Sequence, residues 1–518
     1  MKNNGGGAMK LEELLKKINQ NSAKSIIKTV SGEKTFCFSK NSPDVLSEIL
    51  NGAEINSVAL TPEKMQSGGF AVCTDGKKHR AEDFARAAAE KGIAAIACER
   101  DLPFDGIKIF TSDCRKFATE ACKVFYGEPQ KKLRTIAVMG TNGKTSVCAM
   151  IRQIFADFGV ECGSIGTAGA IYAGKTVQTG MTTPDPPELF SLLADMVKLG
   201  VKVVCMEYSA HAIYYKKADF KFDVAIFTNC TRDHLDFFEN YAQYEAVKLS
   251  AFLPSKARIA VINGDDPCSR KIAAARKSGV ITYGMNDPCD VFAVDERSSE
   301  KGEEFVLNLF DCVFTVKSSL VGRFNVYNML AAATACALCG VKTASVAKSL
   351  AKIKPIAGRM QRIACDSRVF VDNAHTPDGL ENALDSLNEI KGSGRLICVF
   401  GCGGNRDKEK RPLMGEISGK LADFTVITSD NPRFEEPCEI IAQIEKGVRK
   451  VTRSYVIIHD REKAINYALN FAKENDLVLI AGKGAEKTQE IMGVFSKFSD
   501  EDVVAAFTCG DNKSEDKI

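Results

Sequence analysis

No stretch of this sequence approaches the roughly 20 consecutive apolar residues that a membrane-spanning helix needs. The first residues, MKNNGGGAMKLEELLKKINQ, also lack the continuous apolar core of a secretory signal. These two absences exclude a helical membrane protein. They predict a cytoplasmic chain without membrane insertion.

The sequence also lacks an excess of one charge, because 69 lysines and arginines accompany 66 aspartates and glutamates, for a formal net charge of +3. No long basic block or arginine-rich helix stands out, so nucleic acid is not an expected partner. The nineteen cysteines are spread along the chain, and several, such as Cys205 and Cys398, lie within apolar runs. They indicate small buried thiols in a reducing compartment rather than a disulfide framework.

With 518 residues, the chain is long enough for three or four domains of about 150 residues each. Short runs rich in Val and Ile alternate with helical patterns, which is typical of α/β folds built on parallel sheets. We predict a smaller α/β domain at 1–129, a central ATPase-like parallel-sheet domain at 130–355 and a Rossmann-like domain at 356–518. The predicted strands lie at 56–60, 94–99, 135–140, 202–207, 223–229, 258–263, 395–401, 424–430, 454–460 and 476–482.

The strongest local signal is TIAVMGTNGKTSVCAMI, in which a buried strand leads through a glycine-containing loop into an apolar-faced helix. Glycines let the backbone turn its amides and the helix N-terminus toward phosphate, while Lys144 supplies positive charge and the Thr145 hydroxyl suits magnesium. The alternative is a plain strand-to-helix turn. We predict an ATP site formed by Gly140, Thr141, Asn142, Gly143, Lys144, Thr145 and Ser146.

The sequence resembles the Mur ligase family, because an ordered series of further motifs follows this loop. Resemblance covers about residues 130–500, and the last four motifs are similar to those of MurE enzymes. The motifs are TTPDP at 182–186, EYSAH at 207–211, TNCTRDHLDFF at 228–238, YEAVK at 244–248, GRFNVYN at 322–328, GRM at 358–360, DNAHTPDGLENAL at 372–384, GCGGNRDKEKRP at 401–412, DNPR at 430–433 and GKGAE at 482–486.

The resemblance implies an ATP-dependent ligase in which a carboxylate is phosphorylated and an amine then attacks the acyl phosphate. It implies Lys144, Glu207, His234 and Lys248 as catalytic residues, with Asn325 and Arg359 as further ATP contacts. Thr145 and Glu207 would hold one Mg²⁺, and His234 and Lys248 a second. The resemblance also implies that Lys248 is the family lysine that carbon dioxide carbamylates, which would give it the carboxylate-like oxygens that a metal ion needs.

For the substrates, the resemblance implies a UDP-N-acetylmuramoyl dipeptide as acceptor and meso-diaminopimelate as the incoming amino acid. Arg433 matches the arginine that grips the distal carboxylate of diaminopimelate in two parallel hydrogen bonds. We also expect a monomer. The implied acceptor contacts are Thr182, Thr183, Ser209, Tyr215 and Lys217, and the implied amino-acid contacts are Arg406, Asp430, Asn431, Pro432, Arg433, Gly482 and Glu486.

The match weakens at some substrate-binding positions. An Asp-Ser-Arg motif of the family's uridine-nucleotide module is replaced here by Leu60-Thr61-Pro62, and Ala485 replaces a common histidine. Three alternatives therefore stay open: a Mur-like ligase with a different acceptor, a folylpolyglutamate- or cyanophycin-type ligase, and a nucleotide-binding regulator without catalysis. Retention of Lys144, Glu207, His234 and Lys248 together argues against the last of these.

Overall fold

The structure, a computed structural model, describes residues 7–21, 28–31, 34–37, 46, 49–50, 52–76, 80–286 and 288–511. The chain divides into two compact units. The first consists of Met1–Ala137, Gly159–Ala225 and Ala251–Arg258, and the second of Val138–Phe158, Ile226–Ser250 and Ile259–Ile518. Residues 1–6 and 512–518 lie outside the described residues.

The first unit contains a six-stranded sheet whose strands are neighbours in the order Lys34–Cys37, Lys28–Ser31, Ile107–Phe110, Ala95–Cys98, Phe70–Val72 and Val58–Ala59. The last four strands are parallel to one another. Helix Ala81–Glu90 packs its alanines and Phe84 onto this sheet. The unit's other elements in this part of the chain are strands Met9–Lys10 and Glu54–Ile55, helices Leu11–Asn21 and Cys114–Phe125, and the 3₁₀ turns Pro62–Lys64 and Pro129–Lys132.

Later in the first unit, the strands lie in the order Lys175–Val177, Gly169–Tyr172, Cys162–Gly166 and Val203–Glu207. Helices Pro186–Lys198 and Ala210–Tyr214 flank the strand that ends in Glu207, and each has a helix-starting signal: Pro186 at the first turn and a Ser209 side-chain cap. Strands Arg134–Met139, Phe222–Phe227 and Ala257–Asn263 begin in the first unit and end in the second.

The second unit continues with strands Val280–Gly284, Val291–Ser299, Gly302–Leu309 and Cys312–Ser318, of which the last three form an antiparallel meander. Its second sheet has six strands in the order Gln361–Ile363, Asp366–Asp372, Leu477–Ala481, Leu396–Phe400, Phe424–Ile427 and Tyr455–Ile457. All but the first pair are parallel. The hairpin Thr488–Ile491 and Val494–Lys497 follows this sheet in the chain.

Both faces of this six-stranded sheet are covered. Leu396, Cys398 and Phe400 belong to one apolar cluster, whereas the alternate residues Ile397 and Val399 belong to another. Burial on both faces explains the continuous apolar run, as expected for a parallel sheet. The unit's helices are Lys144–Asp157, Tyr241–Ser250, Ser269–Ala274, Arg323–Leu338, Thr343–Leu350, Pro377–Ile390, Lys410–Leu421, Pro437–Val448, Arg461–Phe471 and Asp500–Asp511.

The α/β prediction is confirmed, and each predicted strand overlaps an observed one. The boundaries predicted near 130 and 356 stay predictions. Cysteines from Cys73 onward are free thiols, including Cys336 and Cys339, which stand at CxxC spacing at the end of helix Arg323–Leu338. Of the helices in the described part of the chain, none combines the length and the apolarity needed to cross a bilayer.

Candidate active site

The predicted phosphate loop leads into helix Lys144–Asp157 through Gly143, which is the residue before the first helical turn. Gly143 has a φ of 87°, and a Cβ there would lie 2.5 Å from Asn328 Oδ1, so only glycine fits without strain. No side chain caps the helix. Lys144 Nζ donates to the carbonyls of Gly140 at 2.9 Å and Thr141 at 2.7 Å. A positive helix end and an ammonium group are therefore concentrated at this loop.

Two amides of the loop are already engaged. Asn229 Oδ1 accepts from the backbone N–H of Thr141 at 3.1 Å and of Asn142 at 2.9 Å. Thr228 Oγ1 donates to the Asn142 carbonyl at 2.6 Å, so the residues that follow strand Phe222–Phe227 brace the loop. The helix end and Lys144, rather than these two amides, are thus the groups that an anion would meet.

A cavity of about 340 Å³ lies beside the loop within the second unit. Its size falls in the usual range of small-molecule sites. Asn142, Gly143, Ser146 and Arg359, which the sequence predicts to bind ATP, line it. Asp265 lies in the same wall and accepts from the hydroxyl of Tyr327 at 2.8 Å.

Two hydrogen bonds join the loop to the segment that follows residue 356. Asn142 Nδ2 donates to Asp378 Oδ2 at 2.7 Å, and Arg359 Nη2 donates to Thr145 Oγ1 at 3.0 Å. Asn325 is buried and accepts from Asn328 Nδ2 at 3.3 Å, so it supports the residue that packs against Gly143. The predicted ATP contacts of the second unit are therefore gathered around one cavity.

Lys248 is almost completely buried on helix Tyr241–Ser250. Its Nζ donates to Thr141 Oγ1 at 2.9 Å and to the Tyr244 hydroxyl at 3.0 Å. Burial lowers the pKa of Lys248 to about 8. The lower pKa increases the uncharged amine fraction, which is the form that reacts with carbon dioxide.

His234 lies near the same group of side chains. Its ring is in edge contact with the Tyr244 ring at a centroid distance of 6.2 Å, and its Nε2 lies 3.3 Å from Asp233 Oδ2. The backbone of His234 is left-handed, with a φ of 56°. Tyr244 therefore contacts both predicted ligands of a second metal ion, Lys248 and His234.

The donor set fits magnesium better than a metal that needs several protein ligands. Within the described ranges, no group of three or more His, Cys, Asp or Glu side chains could hold a metal ion by itself. Magnesium typically takes one or two carboxylates and completes its shell with water and substrate phosphates. Single oxygen donors such as Thr145 and Glu207 suit that requirement.

In the first unit, Glu207 ends the strand Val203–Glu207 and is buried. Thr167 donates to its carboxylate from the backbone N–H at 2.8 Å and from the hydroxyl at 3.3 Å. A Cβ at Gly166 would lie 2.2 Å from Glu207 Oε1, so glycine makes room for the carboxylate. The Thr167 hydroxyl also lies 3.2 Å from that of Thr182.

The predicted acceptor contacts gather near Glu207. Thr183 Oγ1 donates to the Glu207 carbonyl at 2.8 Å and lies 3.3 Å from Ser209 Oγ. Lys217 Nζ donates to the Thr183 carbonyl at 3.3 Å and pairs with Asp185 at 2.8 Å. The Tyr215 ring lies against the Arg115 guanidinium, whose carbon is 4.6 Å from the ring centroid.

The predicted amino-acid site lies at the carboxyl ends of three adjacent parallel strands, Leu477–Ala481, Leu396–Phe400 and Phe424–Ile427. This edge is where ligands bind in open α/β sheets. Arg433 Nη1 donates to the Gly404 carbonyl at 2.9 Å, and its Nε lies 3.2 Å from Glu490 Oε2. The loops after all three strands thus meet around one guanidinium.

A buried lysine links the other predicted contacts. Lys483 Nζ donates to Asn431 Oδ1 at 2.9 Å and pairs with Glu486 Oε2 at 3.0 Å. Asn431 Nδ2 donates to the same Glu486 oxygen at 2.8 Å. Asp430 lies against Gly482, where a Cβ would come within 2.6 Å of Asp430 Oδ2. These interactions leave Glu486 with its side chain 45% exposed.

Pro432 and Arg406 complete the predicted set. The Pro432 carbonyl packs against Gly404, where a Cβ would lie 1.8 Å away. Arg406 is exposed and donates to the Asn405 carbonyl at 3.2 Å. Sequence reasoning did not assign roles to Asn229, Tyr244, Lys483 or Glu490. Tyr244 and Lys483 stand inside the YEAVK and GKGAE motifs, so their motif membership was the available signal.

Comparison with known proteins identifies the family. Residues 138–336 match the family model of the Mur ligase middle domain, and residues 358–484 match that of the Mur ligase, glutamate ligase domain. The UDP-N-acetylmuramoyl-L-alanyl-D-glutamate–2,6-diaminopimelate ligase of Syntrophomonas wolfei is 39% identical over 466 residues, which cover 88% of this chain and 95% of that protein.

Solved structures show the same fold. A structure of a UDP-N-acetylmuramoyl-L-alanyl-D-glutamate–2,6-diaminopimelate ligase is 31% identical, with a TM-score of 0.64, covering 88% of this chain and 95% of its own. A folylpolyglutamate synthase of Mycobacterium tuberculosis, complexed with ADP and AMPPCP, is 17% identical with a TM-score of 0.57, covering 70% and 91%. The last likeness is one of fold alone.

Proposed function

This chain belongs to the Mur ligase family, whose members are ATP-dependent amide ligases, and we propose that it joins meso-diaminopimelate to the D-glutamate of UDP-N-acetylmuramoyl-L-alanyl-D-glutamate. Its relatives of 37–39% identity carry the name of that activity. Such a reaction builds the peptide stem of peptidoglycan precursors.

The reaction proceeds in two steps, phosphorylation of a carboxylate and attack by an amine. A carboxylate oxygen of the acceptor attacks the γ-phosphorus of ATP, and ADP leaves with the electron pair of the broken P–O bond. The amine of the amino acid then attacks the acyl phosphate, loses a proton, and expels inorganic phosphate as the amide forms. Lys144 and the helix N-terminus at Gly143 hold the phosphates and offset their charge, which is the main requirement of phosphoryl transfer.

The observation that carries the substrate assignment is the presentation of Arg433. Its side chain is only 22% exposed, and loops from three strands surround it. A guanidinium in this setting suits a carboxylate, whereas it would repel the distal ammonium of lysine. Asn431 and Glu486 lie in the same loops and offer polar contacts to the rest of the amino acid.

Metal binding is the finer part of the proposal. We propose Thr145 and Glu207 as ligands of one Mg²⁺, and His234 with carbamylated Lys248 as ligands of a second. When bound, the ions would neutralise phosphate charge. The buried Lys248 amine, with its pKa near 8, supports carbamylation because the uncharged form is accessible at neutral pH.

We also propose a three-part organisation with acceptor-nucleotide recognition in 1–129, ATP binding in 130–355 and amino-acid binding in 356–518. A monomer in the cytoplasm completes the proposal. The free thiols from Cys73 onward support a reducing compartment. Leu60-Thr61-Pro62, where the family carries a nucleotide contact, keeps an altered acceptor as the second candidate.

A phosphate-release assay that crosses several acceptors with several amino acids tests the proposal. The expected optimum pairs UDP-N-acetylmuramoyl-L-alanyl-D-glutamate with meso-diaminopimelate. Arg433→Ala should lower kcat/KM for meso-diaminopimelate by about 30- to 1000-fold, since a charge-assisted bidentate contact contributes about 2–4 kcal/mol in a partly desolvated pocket. Arg433→Lys should recover little.

Arg449→Ala is the matched control, because Arg449 is exposed at the end of helix Pro437–Val448. This variant should leave kcat/KM for meso-diaminopimelate unchanged. A wild-type preference for L-lysine, or an unchanged ratio of the two efficiencies in Arg433→Ala, would overturn the amino-acid assignment. A different acceptor optimum with the same amino acid would instead favour the second candidate.

A further inference from the structure

Glu490 is a carboxylate placed against the proposed substrate-binding arginine. It stands on the exposed hairpin strand Thr488–Ile491, yet its own side chain is only 19% exposed. Its Oε2 lies 3.2 Å from Nε of Arg433. Glu490 thus places a carboxylate beside a guanidinium that is proposed to bind the carboxylate of the substrate. Two carboxylates at one guanidinium must contact different N–H groups.

The backbone shows that the hairpin and Arg433 form one structural element. The Arg433 N–H donates to the Glu490 carbonyl at 3.2 Å, and the Met492 N–H donates to the Arg433 carbonyl at 2.7 Å. Arg433 itself has a left-handed φ of 52°, which costs a non-glycine residue roughly 1 kcal/mol or more. Such a conformation persists only where the surrounding contacts impose it, and here both backbone groups are bound to the hairpin.

The side-chain contacts of Arg433 divide its guanidinium into two edges. Glu490 faces Nε, and the Gly404 carbonyl accepts one N–H of Nη1. Among the described residues, none accepts from Nη2. The outer edge of the guanidinium, between Nη1 and Nη2, is therefore the side left for a carboxylate, with both N–H groups of Nη2 and the second N–H of Nη1 as donors.

We propose that Glu490 is a positioning residue that holds Arg433 by its Nε edge, so that the outer edge of the guanidinium is presented to the carboxylate of the amino-acid substrate. The assignment rests on the proposed function, in which Arg433 binds that carboxylate. Glu490 itself does not touch the substrate. Without the Glu490 carboxylate, only the Gly404 carbonyl holds the guanidinium. The side chain then samples several rotamers, and substrate binding must select one of them.

The test compares Glu490→Ala and Glu490→Gln with wild type in the phosphate-release assay. Glu490→Ala should raise KM for meso-diaminopimelate about fivefold, the scale of a partly exposed charge contact, while kcat at saturation and KM for ATP stay unchanged. Glu490→Gln keeps the size and a side-chain oxygen but removes the charge, and it should raise KM by about twofold. Glu439→Gln, which removes an exposed carboxylate from helix Pro437–Val448, is the matched control.

A second readout follows the arginine itself. The ¹⁵Nε–¹Hε resonance of Arg433 can be assigned by its loss in Arg433→Ala. Exchange of this proton with water should be slow in wild type, faster in Glu490→Gln and fastest in Glu490→Ala. This measurement needs no turnover, so it reports on positioning even where the substrate differs from the one proposed.

The outcomes separate the two proposals. A wild-type enzyme that ignores meso-diaminopimelate overturns the proposed function. A wild type that uses it, combined with an unchanged KM in Glu490→Ala, overturns only the role of Glu490. Tighter binding in both variants would show Glu490 to be a competitor for Arg433, and a parallel loss of melting temperature and kcat would show a structural role; either result overturns positioning.

Discussion

Substitution by alanine should have different effects at two neighbouring glycines, Gly403 and Gly404. Gly403 is not among the residues with a left-handed backbone, and a Cβ there would lie 2.8 Å from Nη1 of Arg433. That atom is the far end of a flexible side chain, so it can move aside at little cost in stability. Moving it breaks the 2.9 Å hydrogen bond from Nη1 to the Gly404 carbonyl.

Gly403→Ala should therefore act on substrate binding. Hydrogen bonds to charged groups contribute about 1.5–3 kcal/mol, so displacement of the guanidinium should raise KM for the amino acid about 10- to 100-fold. Gly404→Ala should act on folding instead. Its Cβ would lie 1.8 Å from the Pro432 carbonyl oxygen and 2.7 Å from the carbonyl carbon, and a backbone cannot move aside as a side chain does.

The assay measures KM for meso-diaminopimelate, KM for ATP and the apparent melting temperature of both variants. Gly403→Ala should melt like wild type and keep its KM for ATP, whereas Gly404→Ala should melt several degrees lower. Equal melting losses in the two variants, or a normal amino-acid KM in a well-folded Gly403→Ala, would refute the reasoning that these glycines have separate tasks.

Two further predictions concern buried ionisable groups. Lys248→Ala should abolish ligation while ATP binding persists, and a short added carboxylate should restore part of the activity; isothermal titration with ATP and the phosphate assay check this, and wild-type turnover in the variant would contradict it. Burial raises the pKa of Asp372 from 3.8 to about 6, so the stability associated with this group is full below the unfolded pKa and is lost as pH rises through about 6. Asp372→Asn should remove that pH-dependent loss of stability, which is at most about 3 kcal/mol. Melting curves from pH 4 to 7 should therefore show the melting temperature of the variant rising relative to that of wild type. A constant difference in melting temperature across that range would contradict this prediction.

The strands that position the site were predictable because burial on both faces leaves a continuous Val- and Ile-rich run. The prediction at 395–401 corresponds to Leu396–Phe400, and that at 476–482 to Leu477–Ala481. The predicted strands extend beyond the carboxyl ends of the observed strands into the loops that follow. Thr428 to Asp430 were predicted as strand but lie after Phe424–Ile427, in the loop that carries Arg433.

The antiparallel meander was not predicted, although FVLNLFDCVFTV has the alternation of a half-buried hairpin. Its turn is at Phe310 and Asp311, which both have positive φ. A search for Val- and Ile-rich runs misses such strands because polar residues interrupt them. Alternation of apolar and polar residues, rather than an unbroken apolar run, is the pattern that indicates a strand with one solvent-facing side.

Within the site, the phosphate loop and Arg433 could be proposed from local motifs, whereas their supports could not. Asn229 braces the loop from 87 residues away, and Glu490 reaches Arg433 across a distant part of the sequence. Such contacts depend on which strands are neighbours in the sheet. A single sequence contains the side chains but not that adjacency.

A buried ion pair supports the loops of the proposed amino-acid site. Arg461 and Asp500 are both fully buried, with Nε and Oδ1 at 2.8 Å. Arg461 also donates to the carbonyls of Ser429 at 3.3 Å and Ala481 at 3.0 Å, the residues that precede the DNPR and GKGAE loops. One guanidinium thus ties the ends of two strands to the last helix, Asp500–Asp511. Because an unpaired buried charge is costly, loss of Asp500 should disturb both loops at once, so the geometry around Arg433 also depends on a residue of the last helix.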